Sequence, residues 1–161
     1  MTRLLARPST LAALGGVLLV IGLAVYLGDR PPGHAMLLPA WPRPSGGAWF
    51  GSVGPWLPSF IHPFAFSLLT VAALGPSRRP RYGACMAWGA VNAAFELGQL
   101  PQVAASLGPA LRESAPASRA LADYFTRGRF DLLDLAAVAL GSVAAAALLR
   151  FLHEPDDPNA P

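Results

Sequence analysis

Long blocks of apolar residues constrain this chain more than any other feature. Residues 11–27 carry no charged side chain, and residues 56–75 and 130–149 form two further apolar blocks. A fourth block, residues 83–100, is apolar apart from three polar positions in its second half. A bilayer-spanning helix needs roughly 17–25 predominantly apolar residues, and lipid requires a backbone that satisfies its own hydrogen bonds. The sequence therefore predicts an all-α polytopic membrane protein, with four transmembrane helices in a compact bundle.

Composition fits this class better than any other. Charged residues make up 13% of the 161 positions, about half of the ~25% that is usual in soluble globular proteins. The single cysteine, Cys85, cannot form an internal disulfide, and it is predicted to be a small buried hydrophobic residue. The net charge of +3 comes from scattered arginines without a nucleic-acid-binding motif. A soluble enzyme, a disordered chain, a disulfide scaffold and a nucleic-acid partner are therefore not expected.

Arginine placement predicts the orientation of the chain in the membrane. The short segment between the second and third blocks has no acidic residue and contains Arg78, Arg79 and Arg81, so it is predicted to be cytoplasmic. The outer loops hold as many arginines, but long loops translocate with less regard to charge. Both termini are then cytoplasmic. We expect one transmembrane domain at residues 1–152 and a disordered tail at residues 153–161, in a multi-pass protein of the bacterial inner membrane.

The first apolar block has a second interpretation as a cleaved signal peptide. Arg3 and Arg7 precede it, as in the positively charged region of such peptides. The block is followed by Leu27, Gly28 and Asp29 rather than by a small-x-small cleavage site. An uncleaved transmembrane helix is therefore favoured.

The loops are predicted to lie at the membrane surface. In the third loop, Ser118 is expected to cap a short interfacial helix at residues 117–125, with Leu121 and Phe125 turned toward the membrane. Indole side chains favour the headgroup zone. Three tryptophans in and beside the first outer loop are predicted to sit there: Trp41, Trp49 and Trp56.

Three ionisable side chains on different blocks are predicted to share one depth. His62 lies near the outer start of the second block, Glu96 near the outer end of the third, and Asp134 near the outer start of the fourth. A helix rises 1.5 Å per residue, which puts all three about 6–9 Å below the outer edge of the hydrocarbon. Because such groups are costly in a membrane, their coincidence predicts a polar site there.

Residue spacing extends this site to neighbouring positions. Asn92, Glu96 and Gln99 follow an i, i+4, i+7 pattern on one helical face, and Asp131 and Asp134 follow i, i+3. In antiparallel helices Glu96 is then level with Asp134, and Gln99 with Asp131. Small residues would let the backbones approach closely: Gly89, Ala93, Gly141 and Ala145.

Two carboxylates at low dielectric cannot both ionise without a cation or a shared proton. The nearest cations are Arg127 and Arg129, just outside the fourth block, and no metal is predicted. The cluster would bind a phosphate-bearing or polar headgroup, with His62 as a further contact and Asn92 in a structural role. Alternatively, the same groups only hold the helices together. No catalytic residue and no cofactor are predicted.

The motif residues resemble the VanZ-like family of small membrane proteins. The stretches at 92–99 (NAAFELGQ) and 127–141 (RGRFDLLDLAAVALG) are similar to its N-x-x-x-E-x-x-Q and R-x-x-D-x-x-D patterns, and the family's histidine resembles His62. The similarity covers residues 57–149. Two positions depart from the pattern: Val138 stands where the family has asparagine, and Ala145 where it has glycine. The resemblance implies a cell-envelope module rather than a known enzyme.

Three functions follow as hypotheses. The first is a module that binds an envelope lipid or lipid-linked precursor, with Arg127 and Arg129 on its phosphate. The second is an accessory subunit of a larger membrane complex, or a homo-oligomer, with the polar cluster as architecture. The third is an enzyme acting on lipid phosphate through His62 and the carboxylates. No phosphatase, nucleophile or metal motif favours the third.

Overall fold

The computed structural model describes residues 7–29, 48–75 and 78–152, and every long element in them is an α-helix. Trp41 and the predicted tail at residues 153–161 lie outside this part of the chain. The helices are α1 (Pro8–Gly28), α2 (Leu57–Leu74), α3 (Arg78–Gly98), α4 (Pro101–Ser114), α5 (Pro116–Arg127) and α6 (Leu132–Phe151). A 3-10 turn at Gly51–Val53 lies between α1 and α2. The prediction of an all-α protein is confirmed.

Three of these helices are long and apolar enough to cross a membrane: α1, α2 and α6. Helix α3 has the length, but its polar residues lower its mean hydropathy below that of the other three. The composition of the chain thus fits a multi-pass membrane protein with at least these three candidate spans.

Helix α2 lies at the centre of the bundle and packs against α1, α3 and α6. Its buried side chains include Ile61, Ala65, Leu68 and Val71, each at most 1% exposed. Proline at the start of the helix, Pro58, fits a position whose backbone N–H has no helical partner. Because α2 packs against three other helices, it is the element on which the bundle is built.

Contacts at the two ends of the bundle give the helix directions. Ser59 at the start of α2 contacts Asp134 at the start of α6, so these two helices are parallel. Arg81 near the start of α3 contacts Leu149 near the end of α6, so α3 is antiparallel to both. The polar residues predicted to share one depth therefore lie at the same end of the bundle, where α3 ends and α2 and α6 begin.

Two of the predicted small residues do permit close helix contacts. A Cβ atom at Gly141 would overlap the backbone carbonyl oxygen of Phe60 on α2, and one at Gly89 would lie 2.7 Å from Oγ of Ser142 on α6. Gly89 thus serves the predicted contact between α3 and α6. Gly141 instead lets α6 approach α2, which the sequence pattern did not indicate.

The start of α3 differs from the prediction. The third span was predicted at residues 83–100, but the helix begins at Arg78 and ends at Gly98. Arg81, assigned to a connecting loop, is only 4% exposed, and its Nη1 donates to the carbonyl oxygen of Leu149 at 3.0 Å. The last carbonyls of a helix lack helical donors, so this arginine caps the end of α6. Cys85 is buried, as predicted.

The third loop is a helical hairpin and not a mixed loop with one short helix. Helix α4 was not predicted, because its interior holds Pro109 beside Gly108. Helix α5 contains the predicted helix, but Ser118 is not its N-cap. The N-cap is Ala115, whose backbone N–H donates to Oγ of Ser118 at 3.1 Å, within the first turn. Ser118 therefore stabilises the turn between α4 and α5 from inside the helix.

Aromatic packing attaches the hairpin to the end of α3. Phe125 is 8% exposed and lies 5.8 Å from Phe95 between ring centroids, and its ring occupies the space beside Gly98. Tyr124 packs edge-on against the same Phe95 at 5.6 Å. Phe125 was predicted to face the membrane, but it is a contact between α5 and the bundle; Leu121 is half-buried.

Asp29 joins the end of α1 to the segment that precedes α2. Its carboxylate accepts hydrogen bonds from the backbone N–H groups of Trp49 at 2.6 Å and Phe50 at 3.1 Å. A Cβ atom at Gly54 would overlap this carboxylate, so a residue without a side chain is needed there. Trp49 remains 58% exposed, beside the end of the first apolar helix.

Candidate ligand-binding site

Asp134 is tied to α2. Its Oδ1 accepts a hydrogen bond of 2.8 Å from Oγ of Ser59, which is 8% exposed. A carboxylate in the first turn of a helix is also favoured by the partial positive charge of the helix N-terminus. The sequence predicted Asp134 at the level of Glu96, but the hydroxyl that it contacts belongs to a residue the prediction did not include.

Asp131 is the N-cap of α6. Its Oδ1 accepts the backbone N–H of Leu133 at 2.9 Å, and its own backbone is extended. Capping of this kind is worth roughly 1 kcal/mol. Asp131 therefore has a structural role in starting the helix, and its half-buried carboxylate stays beside the polar end of the bundle.

Gln99 connects three segments at this end. It follows the last residue of α3 and is 9% exposed. Its Nε2 donates to the hydroxyl of Tyr124 on α5 at 3.0 Å, and its side chain fills the space that a Cβ atom at Gly128 would need. The predicted partner was Asp131. Tyr124 was missed, because nothing in the sequence indicates that α5 folds back onto α3.

Glu96 lies in the last turn of α3 and is 8% exposed. Asn92, one turn earlier, donates through Nδ2 to the carbonyl oxygen of Trp88 at 2.8 Å. This bond stays within α3, so it does not join two helices. Of the predicted polar face, Glu96 and Gln99 are therefore buried and Asn92 is half-buried.

His62 belongs to a row of aromatic rings. Its ring is stacked with Tyr26 of α1 at 6.1 Å and with Phe66 at 6.0 Å, and Phe66 is stacked with Trp88 of α3 at 4.7 Å. Among the residues that the structure describes, His62 makes these ring contacts and no hydrogen bond to a carboxylate. It shares the end of the bundle with the polar group but packs on a different set of side chains.

The two predicted arginines differ in their surroundings. Nη2 of Arg127 lies 3.3 Å from Oδ2 of Asp123, one helical turn earlier on α5. Arg129 lies in the extended segment between α5 and α6, is exposed, and forms no ion pair or hydrogen bond with any described residue. A guanidinium binds phosphate through two parallel N–H donors, and Arg129 is free to do so.

The structure therefore gathers most of the predicted site at one end of the bundle. Ser59 of α2 and Glu96 of α3 are buried there, Asp134 of α6 is half-buried, and Arg129 is exposed. No group of three His, Cys, Asp or Glu side chains suited to a metal ion occurs in the described part of the chain.

Comparison with known proteins finds no match. No family model, no curated protein and no solved structure is similar to this chain at a significant level. The resemblance to the VanZ-like family rests on the motif residues at 92–99 and 127–141 and on His62.

Proposed function

We propose that this chain is a VanZ-like protein of the bacterial inner membrane that binds the phosphate of an envelope lipid or lipid-linked headgroup at its outer face. The observation that carries the proposal is the collection of polar groups from α2, α3 and α6 at one end of the bundle. Arg129, in the segment that leads into α6, is exposed and forms no ion pair or hydrogen bond with a described residue. Polar groups at this depth are costly in lipid unless they serve a site or hold helices together.

In the proposed topology α3 is a fourth transmembrane helix. Its exposed positions from 82 to 97 carry no charge, whereas Arg81 and Glu96 are buried. A surface helix in water has the reverse pattern, with charged residues outward. The outward positions of α3 are Tyr82, Gly83, Met86, Ala87, Ala90, Val91, Ala94 and Leu97. An apolar outward face and inward polar groups suit a helix surrounded by lipid.

Cysteine labelling tests this topology. In a Cys85→Ala background, Ser106→Cys on α4 is expected to react with a membrane-impermeant maleimide in intact spheroplasts. Ser9→Cys at the start of α1 should react only after permeabilisation, because the three crossings by α1, α2 and α3 put these two positions on opposite sides. Both serines are exposed. If α3 does not cross, Ser106→Cys and Ser9→Cys will be labelled from the same side.

The ligand chemistry follows from the groups that are available. Arg129 supplies the charge that recognises phosphate, while the neighbouring Asp131 is engaged by the N–H of Leu133 and Asp134 by Ser59. Arg129 itself forms no ion pair with a described residue. Glu96 and Gln99 are buried polar groups at the same end of the bundle, and they suit hydroxyl groups of a headgroup. A phosphate at the membrane surface is the anion that such a site meets most often.

Arg129→Ala is expected to weaken binding of short-chain phosphatidic acid by roughly tenfold, since a hydrogen bond to a charged group contributes about 1.5–3 kcal/mol. Native mass spectrometry of the detergent-solubilised protein, with a lipid titration, measures the loss. Arg150→Ala is the matched control, because Arg150 is also exposed but lies at the opposite end of α6. Equal lipid retention by both variants would contradict the proposal.

A second candidate function is an accessory subunit of a larger membrane complex, or one copy in a homo-oligomer. It is favoured by the small residues on the outward face of α3, which allow another helix to approach closely: Gly83, Ala87, Ala90 and Ala94. Native mass spectrometry after mild extraction separates the two candidates. A stoichiometric complex with another membrane protein supports the subunit, and a small species that carries a defined lipid supports the binding module.

A further inference from the structure

Asp123 lies between two arginines on the α4–α5 hairpin. Its Oδ1 is 3.0 Å from Nη2 of Arg112 on α4, and its Oδ2 is 3.3 Å from Nη2 of Arg127 on α5. One carboxylate thus uses a different oxygen for each of two guanidinium groups from adjacent helices. A phosphate group presents its oxygens to arginines in the same manner.

The hairpin holds the two arginines at this separation. Nη2 of Arg112 also donates to Oγ1 of Thr126 at 3.3 Å, so the side chain lies across α5. Gly108 brings α4 close to α5 at this level, because a Cβ atom there would lie 2.8 Å from Cγ2 of Thr126. Two residues of α5, Thr126 and Asp123, therefore position the guanidinium of Arg112.

The ion pairs themselves are exposed. The side chains of Arg112 and Arg127 are 54% and 73% exposed, and that of Asp123 is 40% exposed. Exposed pairs of this kind contribute little free energy because water screens them. A ligand with more negative charge than a carboxylate can therefore displace Asp123 from the two arginines at small cost.

We propose that Arg112 and Arg127 form an anion clamp for the phosphate bound by Arg129, and that Asp123 is an internal ligand which this phosphate displaces. The proposal rests on the proposed function and adds the class of headgroup. A phosphomonoester carries up to two negative charges and three free oxygens, whereas a phosphodiester carries one charge. Displacing Asp123 costs the same for either ligand, but the two guanidinium groups attract the doubly charged phosphomonoester more strongly, so the site selects phosphomonoester or diphosphate headgroups over phosphodiesters.

The experiment compares short-chain phosphatidic acid, a phosphomonoester, with short-chain phosphatidylglycerol, a phosphodiester, on the full-length protein in detergent. Asp123→Asn is expected to bind both lipids more tightly, by up to about fivefold, the range set by an exposed ion pair. The gain should be similar for the two lipids, because the cost of displacing Asp123 does not depend on which lipid displaces it. Glu113→Gln removes the same charge from a neighbouring exposed position without an ion pair among the described residues, and should change neither affinity by more than about twofold.

Two further variants test whether the tighter binding of Asp123→Asn comes from freeing Arg112 and Arg127 or from a change in folding. Adding Arg127→Ala to Asp123→Asn should cancel the gain, and Arg112→Ala alone should lower the wild-type preference for phosphatidic acid. Binding without a preference, an unchanged affinity in Asp123→Asn, or an equal gain in Glu113→Gln would overturn the clamp while leaving the Arg129 site intact. No binding of either lipid by the wild type would overturn the proposed function itself.

A parallel titration with glycerol 3-phosphate tests whether the clamp needs a lipid. If Asp123→Asn gains the same affinity for glycerol 3-phosphate, the clamp binds phosphate esters in general. If this gain in affinity is absent, the clamp binds lipid headgroups.

Discussion

Gly141→Ala is expected to destabilise the protein by about 3 kcal/mol, the upper part of the range for overpacked sites. The added Cβ would overlap the carbonyl oxygen of Phe60, a backbone atom that no side-chain rotation can move away. Helices α2 and α6 must then separate, and the bond between Ser59 and Asp134 lengthens with them. Thermal unfolding in detergent, followed by circular dichroism, measures the loss of stability.

The matched control is Gly16→Ala on α1, where a Cβ atom meets nothing within 4 Å. Alanine favours helix over glycine by up to about 1 kcal/mol, so this variant should be slightly more stable than the wild type. The two substitutions add the same atom to a helical glycine, and they are expected to change the stability of the protein in opposite directions. Equal stability of both variants would mean that α2 and α6 do not approach as closely as described.

Arg81→Met is expected to destabilise the protein by about 1–3 kcal/mol, the cost of leaving a buried polar group without its partner. The buried carbonyl oxygen of Leu149 would lose the donor that Arg81 supplies, while methionine retains most of the side-chain volume. Arg81→Lys should restore part of the stability, because an ammonium group can donate to the same oxygen.

Arg150→Met is the control for Arg81, since Arg150 lies near the same end of α6 but is exposed. Chemical unfolding of the three variants in one detergent gives the comparison. A loss of stability in Arg150→Met as large as that in Arg81→Met would attribute the effect to net charge and not to the cap on α6.

The apolar helices could be predicted from the sequence because each is defined by local composition over a length that a bilayer sets. The start of α3 could not, since Arg81 is retained inside the bundle by a carbonyl group 68 positions later in the chain. Helix α4 was missed for a similar reason. Its proline and glycine weaken the local helical signal, and packing of Gly108 against Thr126 of α5 stabilises it.

The candidate site was predicted in its location but only partly in its contacts. Spacing along α3 and α6 put Glu96, Gln99 and Asp134 at one end, since helical periodicity fixes which residues share a face. It could not supply the partners, Ser59 and Tyr124, because these depend on how helices rotate against each other. A small hydroxyl in an apolar helix is a weak signal, yet Ser59 at the start of α2 could have been considered as a partner for an aspartate.

The central position of α2 affects how the protein is made. Helices α1 and α2 leave the ribosome before α6, which must still reach the face of α2 that holds Ser59 and the carbonyl of Phe60. Until α6 arrives, that face is open to lipid, to neighbouring nascent chains and to membrane proteases. Nascent chains truncated before α6 should thus be cleared by quality control, even though their first helices are already inserted.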